Sequence, residues 1–357
     1  MESGATCLRV KILICSYAFH PSVGGIESVS AALADEFLRM GHDVRVVTET
    51  VGDGTEPHAY PVLRHPSAFT LWSCYRWADV VWHNNLSLRL LWPRFFSTTR
   101  CFVTTQTWLS GTLGLETPAS RVKRWVLRCC RNISISQTIA SHLQTPSVVL
   151  GNPYRSEVYY ADPTIPRELK LVFVGRLVSD KGLLLLLQAL VRLRSLDLSP
   201  ALTVVGSGPE RAACEALVKD SDLSRQVNFL GPLSGKPLRE ILHAHEILVI
   251  PSRWAEPFGV VALEGIACGC VVLGTQDGGL PEAIGPCGIV CENNHVEALA
   301  EALRDLLTSS ELREKLRAAA SRHLPHYTAS HLASRYLELF AVPSTQPAQP
   351  VSIYPSK

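Results

Sequence analysis

The 357-residue sequence has no run of about 18 consecutive apolar residues, the length a membrane-spanning helix needs. Its most apolar stretch, "GLLLLLQALVRLR" (182–194), is too short and ends among arginines, so the chain is not expected to cross a bilayer. A signal peptide is also not expected, because Arg9 and Lys11 interrupt the first apolar run and no small-residue cleavage site follows. Cys-x-x-Cys is missing. The eleven cysteines (7, 15, 74, 101, 129, 130, 214, 268, 270, 287 and 291) are odd in number and none is set with histidines at zinc spacing. They read as mostly buried thiols of a reducing, cytoplasmic setting. Net charge is scarce too: +2 overall argues against a nucleic-acid partner.

What is present is a globular composition, 46% hydrophobic and 18% charged, at a length suited to two domains. Short β-branched runs alternate with helix-length amphipathic stretches, the mark of parallel α/β layers. Strands are expected in "VKILICSYAF", "DVRVVTET", "DVVWHNN", "RCFVTTQ", "ISIS" and "SVVLGNP", then in "LKLVFVGRL", "ALTVVGSG", "VNFLG", "EILVIPS" and "CVVLGT". The fold class is therefore α/β, two doubly wound Rossmann-like domains in tandem. We place the first at 1–155 and the second at 156–326, with a last helix at about 327–341 and a proline-rich, disordered tail at 342–357. Charge is uneven along the chain: residues 71–155 hold ten basic residues against Asp79 and Glu116, so the remainder is net acidic.

Ligands of such sheets bind at the carboxyl ends of the strands, and the unusual residues fall there. Gly24 and Gly25 stand between the first strand and a helix, where backbone amides can approach an anion; a plain tight turn is the other reading. In "VGRLVSDKGL", Arg176 follows a strand and Lys181 is expected in the first turn of the next helix, capped by Ser179 or Asp180. A lysine there opposes the helix dipole unless an anion such as a diphosphate joins it; two solvated surface cations are the alternative. In "VVGSGPE", Ser207 and Gly208 would cap a helix beginning at Pro209. In "PSRWAEPFGVVALEGIACGC", Glu256 precedes a helix start near Phe258 and Gly259, and Glu264 lies six residues past Phe258, about 9 Å along the axis. Two carboxylates so placed can accept paired hydroxyls at opposite ends of one ligand, as a nucleoside diphosphate sugar presents; a capping acid and a buried ion-pair partner are the alternative.

Taken in order from about residue 10 to 341, these segments resemble glycosyltransferase family 4, retaining sugar-nucleotide transferases of the GT-B fold, whose two domains face each other across a cleft. The Glu-x7-Glu in "EPFGVVALE" is the most specific of the shared motifs. The resemblance implies that Arg176 and Lys181 bind the donor diphosphate and that the Gly24–Gly25 loop approaches it. It further implies that Glu256 holds the donor sugar, that Phe258, Gly259 and Val260 offer backbone contacts, and that Glu264 holds the ribose. The last helix would return to the first domain. Where many members carry a strand-end histidine this chain has Thr105 and Gln106, and His83, at the end of the preceding strand, is the candidate substitute. No Asp-x-Asp follows a strand; "DSD" (220–222) ends a helix, so chemistry without a metal or other cofactor is expected.

The function implied is transfer of a hexose or related sugar to a glycan or lipid-linked acceptor in cell-envelope or exopolysaccharide biosynthesis. Two readings compete: a sugar-nucleotide-binding scaffold without turnover, and a GT-B relative such as an epimerase or phosphorylase. "RVKRWVLRCCR" (121–131), expected as a helix, and "RLLWPRFF" (89–96) combine arginines with Trp92, Phe95, Phe96 and Trp125, which suggests a peripheral contact with an anionic membrane; a helix that buries its apolar side against the first sheet and leaves its arginines in water is the other reading.

Overall fold

The computed structural model of the chain describes residues 9–22, 24–55, 58–109 and 117–342. The chain divides into two compact α/β units, one of Tyr154–Thr328 and one of the residues before and after it. The division falls at Pro153/Tyr154, two residues ahead of the expected boundary, and the return at Ala329, because Leu324–Tyr327 forms a separate 3-10 turn before the helix Ala329–Ala341. Apart from Val342, the expected tail lies outside the described residues.

In the first unit the strands β1 (Lys11–Cys15), β2 (Asp43–Thr48), β3 (Val62–Arg64), β4 (Val80–Asn84), β5 (Arg100–Thr105), β6 (Arg131–Ser134) and β7 (Ser147–Val149) form one parallel sheet ordered 3-2-1-4-5-6-7. Alternate side chains of β1 enter opposite layers, as the pleat requires. Ile12 and Ile14 join Leu33, Phe37, Trp82 and Phe102, whereas Leu13 and Cys15 join Val47, Tyr75 and Val81. The helix Ala329–Ala341 completes the first of these layers with Tyr336 and Phe340. Trp82 Nε1 donates to Thr104 Oγ1 at 2.8 Å, and that hydroxyl meets Tyr336 Oη at 2.9 Å, so the buried polar atoms of this contact satisfy one another.

The basic bias of residues 71–155 has a structural use that composition does not reveal. Arg131 donates to the Val342 carbonyl at 2.8 Å and Arg100 to that of Phe340, at the end of the returning helix. Arg124 donates to His142 in the last turn of Gln137–Leu143, and Arg94 to Ser97 and Cys129, just past two other helical segments. Cations at helix carboxyl ends satisfy orphan carbonyls and oppose the dipole.

The second unit holds β8 (Leu169–Val174), β9 (Leu202–Val205), β10 (Val227–Gly231), β11 (His245–Ile250), β12 (Val271–Thr275) and β13 (Gly288–Cys291), all parallel, ordered 10-9-8-11-12-13. Its core sets Leu171, Phe173, Ile247 and Val249 against Leu183, Leu186 and Leu190 of the helix Leu183–Arg194, the most apolar stretch of the sequence. In each sheet strand order reverses once, between β1 and β4 and between β8 and β11. Crevices open at such switch points. In the second unit the segments leaving that point are 175–182 and 251–259.

Candidate active site

Both switch-point segments of the second unit carry the residues singled out from sequence. Lys181 lies in a 3-10 turn, Ser179–Lys181, and not in the first turn of an α-helix as expected; the helix begins at Leu183, with neither Ser179 nor Asp180 capping it. The reason is Gly182, whose φ of +70° breaks the helical path and whose missing Cβ would sit 2.0 Å from the Pro251 carbonyl oxygen. This close approach holds the 179–182 turn against the segment after β11, and Arg253 N–H donates to Asp180 O at 2.8 Å. Lys181 Nζ consequently reaches Glu256, bonding its Oε1 at 2.5 Å, while Ser252 Oγ donates to the same oxygen at 2.6 Å. Arg176 is exposed at the edge of the same loop.

The helix after β11 is Val260–Ala267, with Gly259 as N-cap at φ +112° and no side-chain cap. Ala262 N–H donates to the Gly259 carbonyl at 3.0 Å, which leaves the amides of Val260 and Val261 for water or an anion. Phe258 turns its ring inward against Tyr327, 5.7 Å between centroids, so its side chain is buried away from the loop surface. Glu264, on the same helix, is half-buried, and burial pushes its carboxyl up to about 7; the Arg155 charge opposes the rise and Glu157 adds to it.

Ser207 and Gly208 lie in the loop after β9, but they do not start a helix at Pro209. The helix is Arg211–Asp220, because Leu177 N–H donates to Ser207 O at 2.8 Å and Glu210 N–H to Leu177 O at 3.0 Å, tying this loop to the one that carries Arg176 before helical bonding begins. "DSD" ends that helix at Asp220, as read from sequence. A cavity of about 250 Å³ lined by Ser179, Asp180, Arg253, Trp254 and Asn294 flanks the Lys181 turn. A larger hollow of about 790 Å³, among Tyr159, Tyr160, Ile266 and Leu324, touches none of the expected donor residues.

In the first unit Gly24 is the N-cap of the helix Gly25–Arg39, in extended conformation, and a Cβ on Gly25 would meet nothing within 4 Å. The fold itself therefore does not require glycine at 25. His83 is a correction. Its side chain is wholly buried, its Nε2 lies 2.8 Å from Tyr75 Oη, its Nδ1 has no partner, and burial pushes its pKa down to about 3. A ring sealed from solvent and held neutral cannot exchange protons with a substrate, so His83 is a core histidine. Gln106 is likewise fixed, its amide joined to Asn84 at 2.7 Å and to Asn152 at 3.0 and 2.7 Å. Asn84 in turn donates to the Ile26 carbonyl and to Ser30 Oγ, under the start of the helix that Gly24 caps. This buried amide network was not foreseen, since its members are far apart in sequence.

Residues 161–323 match the family described as glycosyl transferases group 1, and this segment contains every donor-site residue of the second unit named above. The D-inositol 3-phosphate glycosyltransferase of Corynebacterium urealyticum is 35% identical over 195 residues, 52% of this chain and 46% of that protein. The glycogen synthase of Mycobacterium tuberculosis is 30% identical over 231 residues, 61% of this chain and 55% of its own length. The chain thus spans about half the length of the curated relatives it matches. Among solved structures, Anabaena HepE in complex with UDP superposes with a TM-score of 0.79 at 17% identity, covering 93% of this chain and 99% of that one. The likeness is one of fold: two α/β units of the GT-B class.

The state of Glu264 yields a test of the site's electrostatics. A folded-state pKa near 7, above the ordinary glutamate value of about 4.5, means that folding favours the protonated form, so this residue's contribution to stability is full at low pH and is lost as pH rises towards 7. Glu264→Gln, permanently neutral, should gain in melting temperature relative to wild type between pH 5 and pH 8. A difference that stays flat across that range would contradict the assignment.

Proposed function

We propose that this chain is a retaining glycosyltransferase that moves a hexose or related sugar from a nucleoside diphosphate sugar to a glycan or lipid-linked acceptor in cell-envelope or exopolysaccharide biosynthesis. The observation that carries the reading is the pairing of Lys181 with Glu256 beside the uncapped start of the helix Val260–Ala267. It supplies, within a few residues, a cation and free amides for a diphosphate and a carboxylate for sugar hydroxyls. The relatives are named for inositol phosphate and glycogen, both polyhydroxylated, and HepE binds UDP, which supports a hydroxyl acceptor and a nucleotide donor.

In this reading Arg176, Lys181 and the first-turn amides neutralise the charge that grows on the departing diphosphate. The bond from the sugar's anomeric carbon to the phosphate oxygen breaks, the acceptor oxygen bonds to that carbon on the same face, and the acceptor proton passes to the released phosphate oxygen. Glu256 orients the sugar, and Glu264 accepts from the ribose hydroxyls. The loops bearing Ser207 and Gly208 flank the nucleoside. Positive charge from side chains and amides takes the place of a metal ion, and the sugar nucleotide is a co-substrate, with no cofactor.

A second reading, a scaffold that binds sugar nucleotides without turnover, is favoured by the fixed Gln106 where an imidazole is common among the members the chain resembles. Nucleotide release with a panel of sugar nucleotides separates the two. Transfer predicts release with at least one donor, insensitive to chelator. Glu256→Gln should then cut turnover far more than nucleotide affinity, and Lys181→Ala or Arg176→Ala should each cost about 1 to 2 kcal/mol of transition-state stabilisation. Activity that disappears with chelator and returns with magnesium would overturn the metal-free mechanism, and three variants indistinguishable from wild type would overturn the site.

For location, we propose a cytoplasmic protein resting on an anionic membrane surface through the first unit. The expected helix 121–131 is shorter, Pro118–Leu127, and Arg131 belongs to β6. Its apolar residues also divide: Val126 and Leu127 are buried, whereas Val122 and Trp125 are 48% and 58% exposed. Trp125 stacks on Phe95, 50% exposed, beside Phe96 at 74%. An exposed aromatic cluster edged by Arg121, Lys123 and Arg128 fits an interfacial contact, each cation adding about 1 kcal/mol near anionic lipid. Co-sedimentation should occur with anionic but not neutral vesicles and weaken with salt and with Arg121, Lys123 and Arg128 changed together to Glu. Equal partition to both vesicle types, or to neither, would overturn the proposal.

A further inference from the structure

Glu256 Oε1 receives two donors, Lys181 Nζ at 2.5 Å and Ser252 Oγ at 2.6 Å, while its second oxygen has no partner among the described residues. The two donors differ in kind. Lys181 is a flexible, partly exposed side chain whose charge a diphosphate would claim. Ser252 is wholly buried, directly after β11 and Pro251. Its carbonyl accepts from Thr275 Oγ1 and from Asn293 Nδ2, each at 3.0 Å, and Asn293 Oδ1 in turn receives the Asp277 N–H at 3.0 Å. The Glu256 backbone is fixed from the same side: its carbonyl accepts the Gly279 N–H at 2.7 Å, a contact possible because Gly278, at φ +83°, has no Cβ to strike that oxygen, which would lie 2.2 Å away.

We infer that Ser252 is the positioning residue for Glu256. With the Thr275–Asn293 platform it holds Oε1 when the donor draws Lys181 to the diphosphate, and so aims Oε2 at the hydroxyls of the transferred sugar. Lys181 is the exchangeable partner and Ser252 the constant one. Without the serine hydroxyl, departure of Lys181 leaves the carboxylate free to rotate at the moment it is needed, and small misplacements of this kind are costly to the reacting geometry. The inference rests on the donor-site reading of Glu256.

The test uses the full-length protein and whichever of UDP-glucose, GDP-mannose, ADP-glucose or dTDP-glucose releases nucleotide with the wild type, together with the matching nucleoside diphosphate. Ser252→Ala should lower kcat about tenfold while the nucleoside diphosphate dissociation constant stays within about twofold, and Ser252→Thr, which keeps the hydroxyl, should recover most of the loss. In a Glu256→Gln background Ser252→Ala should change the residual rate less than about twofold, since the group it positions has lost its charge. Should the alanine variant not fold, Ser252→Cys, close in volume and a weak donor, takes its place with the same expectation. An unchanged kcat in the variant lacking the hydroxyl, an equal loss in both backgrounds, or threonine no better than alanine would overturn the positioning role while leaving the transferase reading intact. A wild type that releases nucleotide from no donor would overturn that reading, and this inference with it.

Discussion

The second unit is organised around a single carboxylate oxygen. Glu256 Oε1 gathers a cation from the segment after β8 and a hydroxyl from its own segment after β11, so one short charge-assisted bond ties the two sides of the switch point and a second holds the carboxylate in place. Those bonds exist because the two backbones come unusually close. The turn holding Lys181 passes the Pro251 carbonyl at a distance that leaves room for a glycine and nothing larger at 182. A paired cation and anion, partly withdrawn from water, are costly to assemble for stability alone. They are well placed for a ligand that carries its own negative charge at one end and hydroxyls at the other, because each partner can exchange its mate for a ligand group without being left uncompensated.

The first unit puts its charge to a different use. Arg94, Arg100, Arg124 and Arg131 close the carboxyl ends of helical segments, and two of them secure the helix that returns from the far side of the second unit in sequence. The polar residues under Gly24 and Gly25 are uncharged amides and hydroxyls joined into one network, Ser30, Asn84, Gln106 and Asn152, all buried. A network with its members satisfied by one another is rigid. It places the start of the helix Gly25–Arg39 without offering a group that titrates near neutrality.

How much of this was legible in the sequence follows from how local each cause is. β-branched runs announce most strands, and eleven of them were read; β3, none of whose residues is fully buried, and β13, with only Cys291 buried, were not. Glu256 and Lys181 were singled out because strand-end position is a local property, and Glu264 because its spacing from Glu256 is. The contact between Lys181 and Glu256 was not, since it depends on two backbones 75 residues apart meeting at Gly182. Ser207 and Gly208 looked like a helix start because "GSGP" has the right chemistry, but bonds to Leu177 claim that loop first. His83 looked functional from its place at a strand end, and only the surrounding Tyr75 and sealed core show it to be structural.

The central claim, that a nucleoside diphosphate sugar is held around the Lys181–Glu256 pair, is tested most directly by hydrogen–deuterium exchange of the full chain with and without UDP and UDP-glucose. The account predicts slowed exchange in the segments 175–182 and 251–264, with the sugar adding protection around 252–260 beyond that given by UDP. Protection that falls elsewhere and spares both segments would contradict it.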